Sequence, residues 1–164
     1  MQSVDAVPAS RDPDAPDPLA LERQVCFALS VAARNVVAVY RRFLEPMGLT
    51  HPQYLVMLAL WQSGPLSVKD LSRLLQLDPG TLSPLVKRLE VAGLVRRDRD
   101  PQDERALAIA LTDRGRALRA RAEAIPSGIV EDLGMPLEEL QALHGSLTRV
   151  IEAAQHAMET DATQ

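Results

Sequence analysis

The stretch Ser67-Val-Lys-Asp-Leu-Ser-Arg-Leu-Leu-Gln-Leu-Asp-Pro-Gly-Thr-Leu-Ser-Pro-Leu-Val-Lys-Arg-Leu-Glu-Val-Ala-Gly93, followed by Leu94-Val-Arg-Arg-Asp-Arg99, decides the fold. Ser67 suits a helix N-cap, and Val68, Leu71, Leu74 and Leu75 then share one face of a short helix. Leu77-Asp78-Pro79-Gly80 carries turn chemistry. A second helical stripe, Leu82, Leu85, Val86 and Leu89, runs on to a stop at Gly93. Past Gly93 the period changes. Residues 94–99 and the alternating apolar positions 107, 109 and 111 read as two strands, with Asp100-Pro101-Gln102-Asp103-Glu104 as the hairpin tip. Two short helices joined by a turn and followed by a hairpin describe a winged helix-turn-helix, whose second helix enters a DNA major groove.

Outward from this centre the chain reads as helices. Thr50 is an N-cap for a mostly buried helix from His51 and Pro52 to Trp61, closed by Gly64-Pro65. Before it, Leu19 to Leu44 runs without Gly or Pro, and Cys26, Ser30, Ala33, Val37, Tyr40 and Leu44 form one stripe. After the hairpin, Thr112 and Asp113 open an Arg- and Ala-rich helix to about Ile125, where Pro126 and Gly128 should kink or break it. Pro136 starts a last helix to about Met158. Residues 1–17, rich in Asp and Pro, lack the apolar content to repay ordering and are expected to be a disordered tail before a domain over 18–160. The predicted class is mainly α with a small β-hairpin wing.

Composition narrows the function. The chain has 164 residues, 46% apolar but 3% aromatic, and net charge -4, so DNA binding must rest on a local basic surface. The single cysteine, Cys26, excludes an internal disulfide, and three scattered histidines make a structural zinc site improbable; no cofactor is implied. A free thiol fits a reducing, cytoplasmic setting. No apolar run is long enough to cross a bilayer, and the acidic N-terminus is not a signal peptide.

On the second helix Thr81, Ser83, Pro84, Lys87 and Arg88 lie opposite the leucine stripe. Hydroxyls there suit base edges, and Lys87 and Arg88 suit phosphates; an ordinary solvated helix face has the same composition. In the hairpin Arg96, Arg97, Arg99 and Arg105 gather on a projecting element. Asp103, two residues before Arg105, is placed to brace that guanidinium for a narrow minor groove. A plain surface salt bridge is the alternative.

Gly93-Leu-Val, Asp103-Glu-Arg105 and Leu111-Thr-Asp-Arg-Gly115 resemble the multiple-antibiotic-resistance (MarR) regulators. Gln24-Val-Cys-Phe-Ala-Leu29, Gly48-Leu-Thr-His-Pro-Gln-Tyr-Leu-Val-Met57 and Leu77-Asp-Pro-Gly-Thr-Leu-Ser-Pro-Leu-Val-Lys-Arg88 look like its organic-hydroperoxide-resistance repressor branch, over about residues 20–125. The resemblance implies a homodimeric repressor on a palindromic double-stranded operator, with the DNA-binding part at about 50–112 and dimerisation helices at about 18–45 and 113–160. It implies that Cys26 senses organic hydroperoxide, with the thiolate held by phenols at the positions of Tyr40, His51 and Ser30; only Tyr40 is a tyrosine here. Pro79 stands where the branch usually has serine.

Tyr40 follows Cys26 by 14 positions on one helix, about 21 Å at the helical rise, so any contact between them comes from a partner subunit. With no second cysteine, a sulfenic acid on Cys26 is expected to end as a mixed disulfide with a low-molecular-weight thiol, or to overoxidise. A regulator of the same fold released by a small aromatic or phenolic ligand is the competing reading. A thiol peroxidase ranks below both, because the stripe neighbours Ser30, Ala33 and Val37 bring no activating cation.

Overall fold

The computed structural model describes residues 17–99 and 107–161. Asp103 and Arg105, the hairpin tip and the expected tail up to residue 16 lie outside the described residues. The chain divides into two units between Ala38 and Val39.

In the first unit a 3-10 turn, Leu21–Arg23, precedes helix α1, Val25–Leu44, which runs on into the second unit. The helix starts later than the unbroken run from Leu19 predicted. Gln24 is extended at ψ 119°, and its side-chain amide donates to the carbonyls of Pro18 at 2.8 Å and Ala20 at 3.2 Å, holding a turn that competes with helix. The stripe residues Cys26, Ser30, Ala33 and Val37 are exposed.

The second unit holds the predicted order with additions. A 3-10 turn, Glu45–Met47, leads to α2, His51–Ser63, followed by strand β1, Leu66–Ser67, and helix α3, Val68–Leu75. Next come α4, Pro79–Val91, strands β2, Val95–Arg99, and β3, Leu107–Leu111, and helices α5, Asp113–Ala122, α6, Ile125–Leu133, and α7, Leu137–Asp161. At the start of α2 the Gln53 side-chain oxygen accepts from the Thr50 amide at 2.8 Å and its hydroxyl at 3.1 Å. The Ser67 hydroxyl accepts from the Asp70 amide at 3.0 Å and caps α3.

The core gathers Leu44, Met57, Leu60, Leu71, Leu82, Leu89, Ile109 and Ile125, all almost fully buried, each large side chain contributing about 2 kcal/mol by leaving water. The α4 stripe is buried as its spacing predicted, whereas Leu74 of the α3 stripe is 53% exposed.

Three expectations need correction. The expected Leu77–Gly80 turn falls one step earlier: Gln76 takes the left-handed conformation at φ 53°, Asp78 caps α4, and Pro79 and Gly80 are already helical, as proline's missing N–H permits in a first turn. The hairpin is part of a three-stranded antiparallel sheet in the order β1-β3-β2. Because β3 is central, Ala108 and Ala110 are buried as well as Ile109, while Leu107 is 53% exposed, so strict alternation fails. The long helix breaks before Pro126, at Glu123 and Ala124, and Pro126 sits in the first turn of α6.

Candidate nucleic-acid interface

Helix α4 presents its site side chains as the spacing required: Thr81, Ser83, Pro84, Lys87 and Arg88 are all exposed, opposite the buried leucines. Among the described residues neither Lys87 nor Arg88 has an ion-pair partner, so both charges point outward uncompensated. The two hydroxyls are engaged within the helix. Thr81 Oγ1 donates to Asp78 Oδ2 at 2.6 Å while its amide donates to Asp78 Oδ1 at 2.9 Å, and Ser83 Oγ donates to the Pro79 carbonyl at 2.7 Å. The Thr81 hydroxyl, and then its amide, hold the Asp78 carboxyl below the usual carboxylate range, so it stays ionised at the N-terminus of α4.

On the wing, Arg97 is exposed, and its Nε donates to Glu90 Oε1 of α4 at 3.2 Å, which ties the strand to the neighbouring helix. Arg96, on the other face of β2, has its Nε 2.9 and 2.8 Å from the two carboxylate oxygens of Asp98, and donates to the Leu111 carbonyl at 3.3 Å. Glu90 escaped sequence reading because its partner lies across a turn rather than at a helical spacing.

Behind the wing a cleft of about 480 Å³ opens between α2, the sheet and α5. It is lined by Leu60, Trp61 and Leu111 and by three arginines, Arg96, Arg116 and Arg119, which pair with Asp98, Asp113 and Glu123 respectively. Trp61 is fixed there by an Nε1–H bond to the Gly115 carbonyl at 2.9 Å.

Of the residues assigned to sensing, Tyr40 and His51 come together: their rings pack edge to face with centroids 5.0 Å apart. Tyr54, missed in the sequence although it follows His51 by one helical turn, joins them at 6.0 Å from Tyr40, and Trp61 continues the row at 6.4 Å from Tyr54. Cys26 stands in the first unit, exposed on α1. Among the described residues no group of three or more His, Cys, Asp or Glu could hold a metal ion, and no helix is long and apolar enough to cross a membrane.

Burial lowers the His51 pKa from its ordinary 6.5, so the folded protein favours neutral imidazole. As pH falls the unfolded chain takes up this proton first; the contribution is full above about pH 6.5 and is lost as pH drops towards the lower folded value. The urea midpoint is therefore expected to fall between about pH 7.5 and about pH 5.5, and to fall less in His51→Phe. Equal falls in the two proteins would remove His51 from the account.

Residues 49–107, which span α2, both helices of the helix-turn-helix and most of the sheet, match the MarR family model. A transcriptional regulator of Methylorubrum extorquens, TtmR, is 47% identical over 80% of this chain and 67% of its own length. The chain belongs to the MarR family. The organic hydroperoxide resistance transcriptional regulator of Bacillus subtilis is 38% identical over 83% of this chain and 92% of its own. Among solved structures, reduced AbfR bound to DNA superposes with a TM-score of 0.65 at 34% identity, over 82% of this chain and 94% of that one; AbfR is a protein of Staphylococcus epidermidis. This MarR-family protein is accordingly a DNA-binding transcriptional regulator of winged-helix type and not an enzyme.

Proposed function

We propose that this MarR-family regulator is a homodimeric repressor that releases a palindromic operator when an organic hydroperoxide oxidises Cys26. The observation that carries the reading is the state of the thiol: the single cysteine is exposed on α1 instead of being packed as a core hydrophobe. Likeness to the Bacillus hydroperoxide regulator supports it. The dimer is supported by apolar side chains left uncovered on two helices, Val25, Phe27 and Val37 on α1 and Leu143, Val150, Ile151 and Met158 on α7. In that dimer the Tyr40–His51 pair of one protomer approaches the partner's thiol. Helix α4 enters the major groove with Lys87 and Arg88 on phosphates, and the wing with Arg97 follows the minor groove.

The chemistry balances with one thiol per chain. The Cys26 thiolate attacks the peroxide oxygen, the O–O bond breaks, and an alcohol leaves after taking a proton. The resulting sulfenic acid condenses with a low-molecular-weight thiol, forming an S–S bond and releasing water. AbfR has been solved in a disulfide form and, overoxidised, bound to DNA, which favours a disulfide over the sulfinic or sulfonic acid as the releasing species. Operator binding followed through a hydroperoxide titration, with Cys26→Ser beside the wild type, tests the reading.

The cleft behind the wing favours a second reading, release by a small phenolic acid seated on Trp61 with its carboxylate against the lining arginines. Trp61 is the only tryptophan and lines this cleft, so its emission responds to a ligand seated there. Under the hydroperoxide reading, 4-hydroxybenzoate is expected to leave both Trp61 emission and operator binding unchanged. Saturable quenching, accompanied by operator release and abolished in Arg119→Gln, would establish the second reading instead.

A further inference from the structure

A hydroxyl is ordinarily ambivalent in a major groove, donating to the keto oxygens of guanine and thymine or accepting from the amino groups of cytosine and adenine. The hydroxyls of α4 do not have that freedom. A carboxylate and a peptide carbonyl can only accept, so the 2.6 Å contact of Thr81 Oγ1 with Asp78 Oδ2 and the 2.7 Å contact of Ser83 Oγ with the Pro79 carbonyl each commit the hydroxyl proton inside the protein. Both residues are exposed, and each hydroxyl oxygen still has lone pairs with which to accept. We propose that Thr81 and Ser83 act as acceptor-only readers, taking hydrogen bonds from base amino groups, N4 of cytosine or N6 of adenine, and making none to keto oxygens.

The competition behind this is unequal. To donate to guanine O6 or thymine O4, Thr81 would exchange a charge-assisted bond to an ionised carboxylate for one to a neutral carbonyl, roughly half as strong. The geometry also divides the labour on the helix. At 100° per residue Thr81 and Ser83 stand on opposite flanks of the exposed face, with Pro84, Lys87 and Arg88 between them, so each flank reads its own base step while the cations hold the backbone. Pro84 carries no N–H and Pro79 none either, so neither proline adds a donor. This end of α4 is therefore an acceptor surface, in contrast to the paired donors that an arginine or lysine offers guanine.

The inference rests on α4 entering the major groove, as proposed above. Random-sequence selection with the reduced full-length protein, wild type and Thr81→Val, identifies the base pair at which the valine variant loses preference. At that pair the wild type is then measured on duplexes lacking only the amino group, 2-pyrimidinone for cytosine or purine for adenine. It is also measured on duplexes lacking only the keto oxygen, 2-aminopurine for guanine or 5-methyl-2-pyrimidinone for thymine. Removing the amino group is expected to weaken wild-type binding about fivefold, the value of one hydrogen bond, and removing the keto oxygen to leave it unchanged. Thr81→Val should respond equally to both deletions, which corrects for any effect on base pairing. Stronger weakening of the wild type by keto deletion, or equal response of the two proteins to amino deletion, overturns the inference while leaving DNA binding intact. No enriched sequence from either protein overturns the reading that α4 enters the major groove to read bases, and this inference with it.

Discussion

Cys26→Ser is expected to stay on its operator through a hydroperoxide titration that removes the wild type. Serine keeps nearly the volume of cysteine but forms no thiolate and no S–S bond, so the variant retains the fold and loses only the chemistry. In the mechanism proposed, the reduced dimer holds its recognition helices about one DNA turn apart, roughly 34 Å. On that proposal, a thiol adduct on the α1 face inserts bulk where two protomers meet and moves the heads off that spacing. Coupling energies of this kind are typically about 2 kcal/mol, a roughly thirtyfold loss of operator affinity. The comparison is made at one fixed salt concentration, because phosphate contacts alone change affinity steeply with salt. Intact mass measured at the midpoint of release should show Cys26 carrying the added thiol. Release of the wild type with Cys26 unmodified, or equal release of Cys26→Ser, would sink the sensing mechanism and return attention to the cleft around Trp61.

The parts of this molecule legible in the sequence are those fixed by short-range regularity. The leucine stripe of α4 repeats at helical spacing, and the side chains opposite it had no other place to go than the exposed face. The caps Ser67 and Thr112 were readable for the same reason, since each bonds an amide three residues on. Strand β1 was not, because two residues carry no period and Ser67 serves as strand and cap at once. The Arg97–Glu90 link and the Tyr40–His51–Tyr54 row are set by how α1, α2, α4 and the sheet pack, which no local pattern encodes. The committed protons of Thr81 and Ser83 lie between these cases. Ser-to-carbonyl bonding four residues back is a local habit, but whether Asp78 caps α4 or sits mid-turn depended on a one-residue shift that only the backbone at Gln76 settles.

Gly115→Ala is expected to be the most destabilising of the glycine-to-alanine changes in the second unit, although the site is helical and alanine is the better helix former. A Cβ at Gly115 would lie 2.0 Å from the carbonyl oxygen of Leu94 and 3.0 Å from its carbon, both backbone atoms that no rotamer change can move. The close approach exists because α5 starts against the strand it follows: the Thr112 amide donates to that same Leu94 carbonyl at 3.1 Å, and the Thr112 hydroxyl donates to the Gly93 carbonyl at 2.7 Å. On the other side of the turn Trp61 donates to the Gly115 carbonyl, so lifting α5 away strains α2 as well. Overpacking and the weakened bonds together are expected to cost about 3 kcal/mol, against about 1 kcal/mol gained in helix propensity. Gly134→Ala is the control: its φ of +60° makes alanine unfavourable, but nothing lies within 4 Å, so only the backbone penalty of about 1 kcal/mol applies. Thermal unfolding followed by Trp61 emission should place Gly115→Ala about 3 °C below Gly134→Ala, as about 3 °C per kcal/mol implies for a chain of this size. If the two variants melt together, the contact with Leu94 is soft, and α5 is not the rigid seat on which the base of the wing rests.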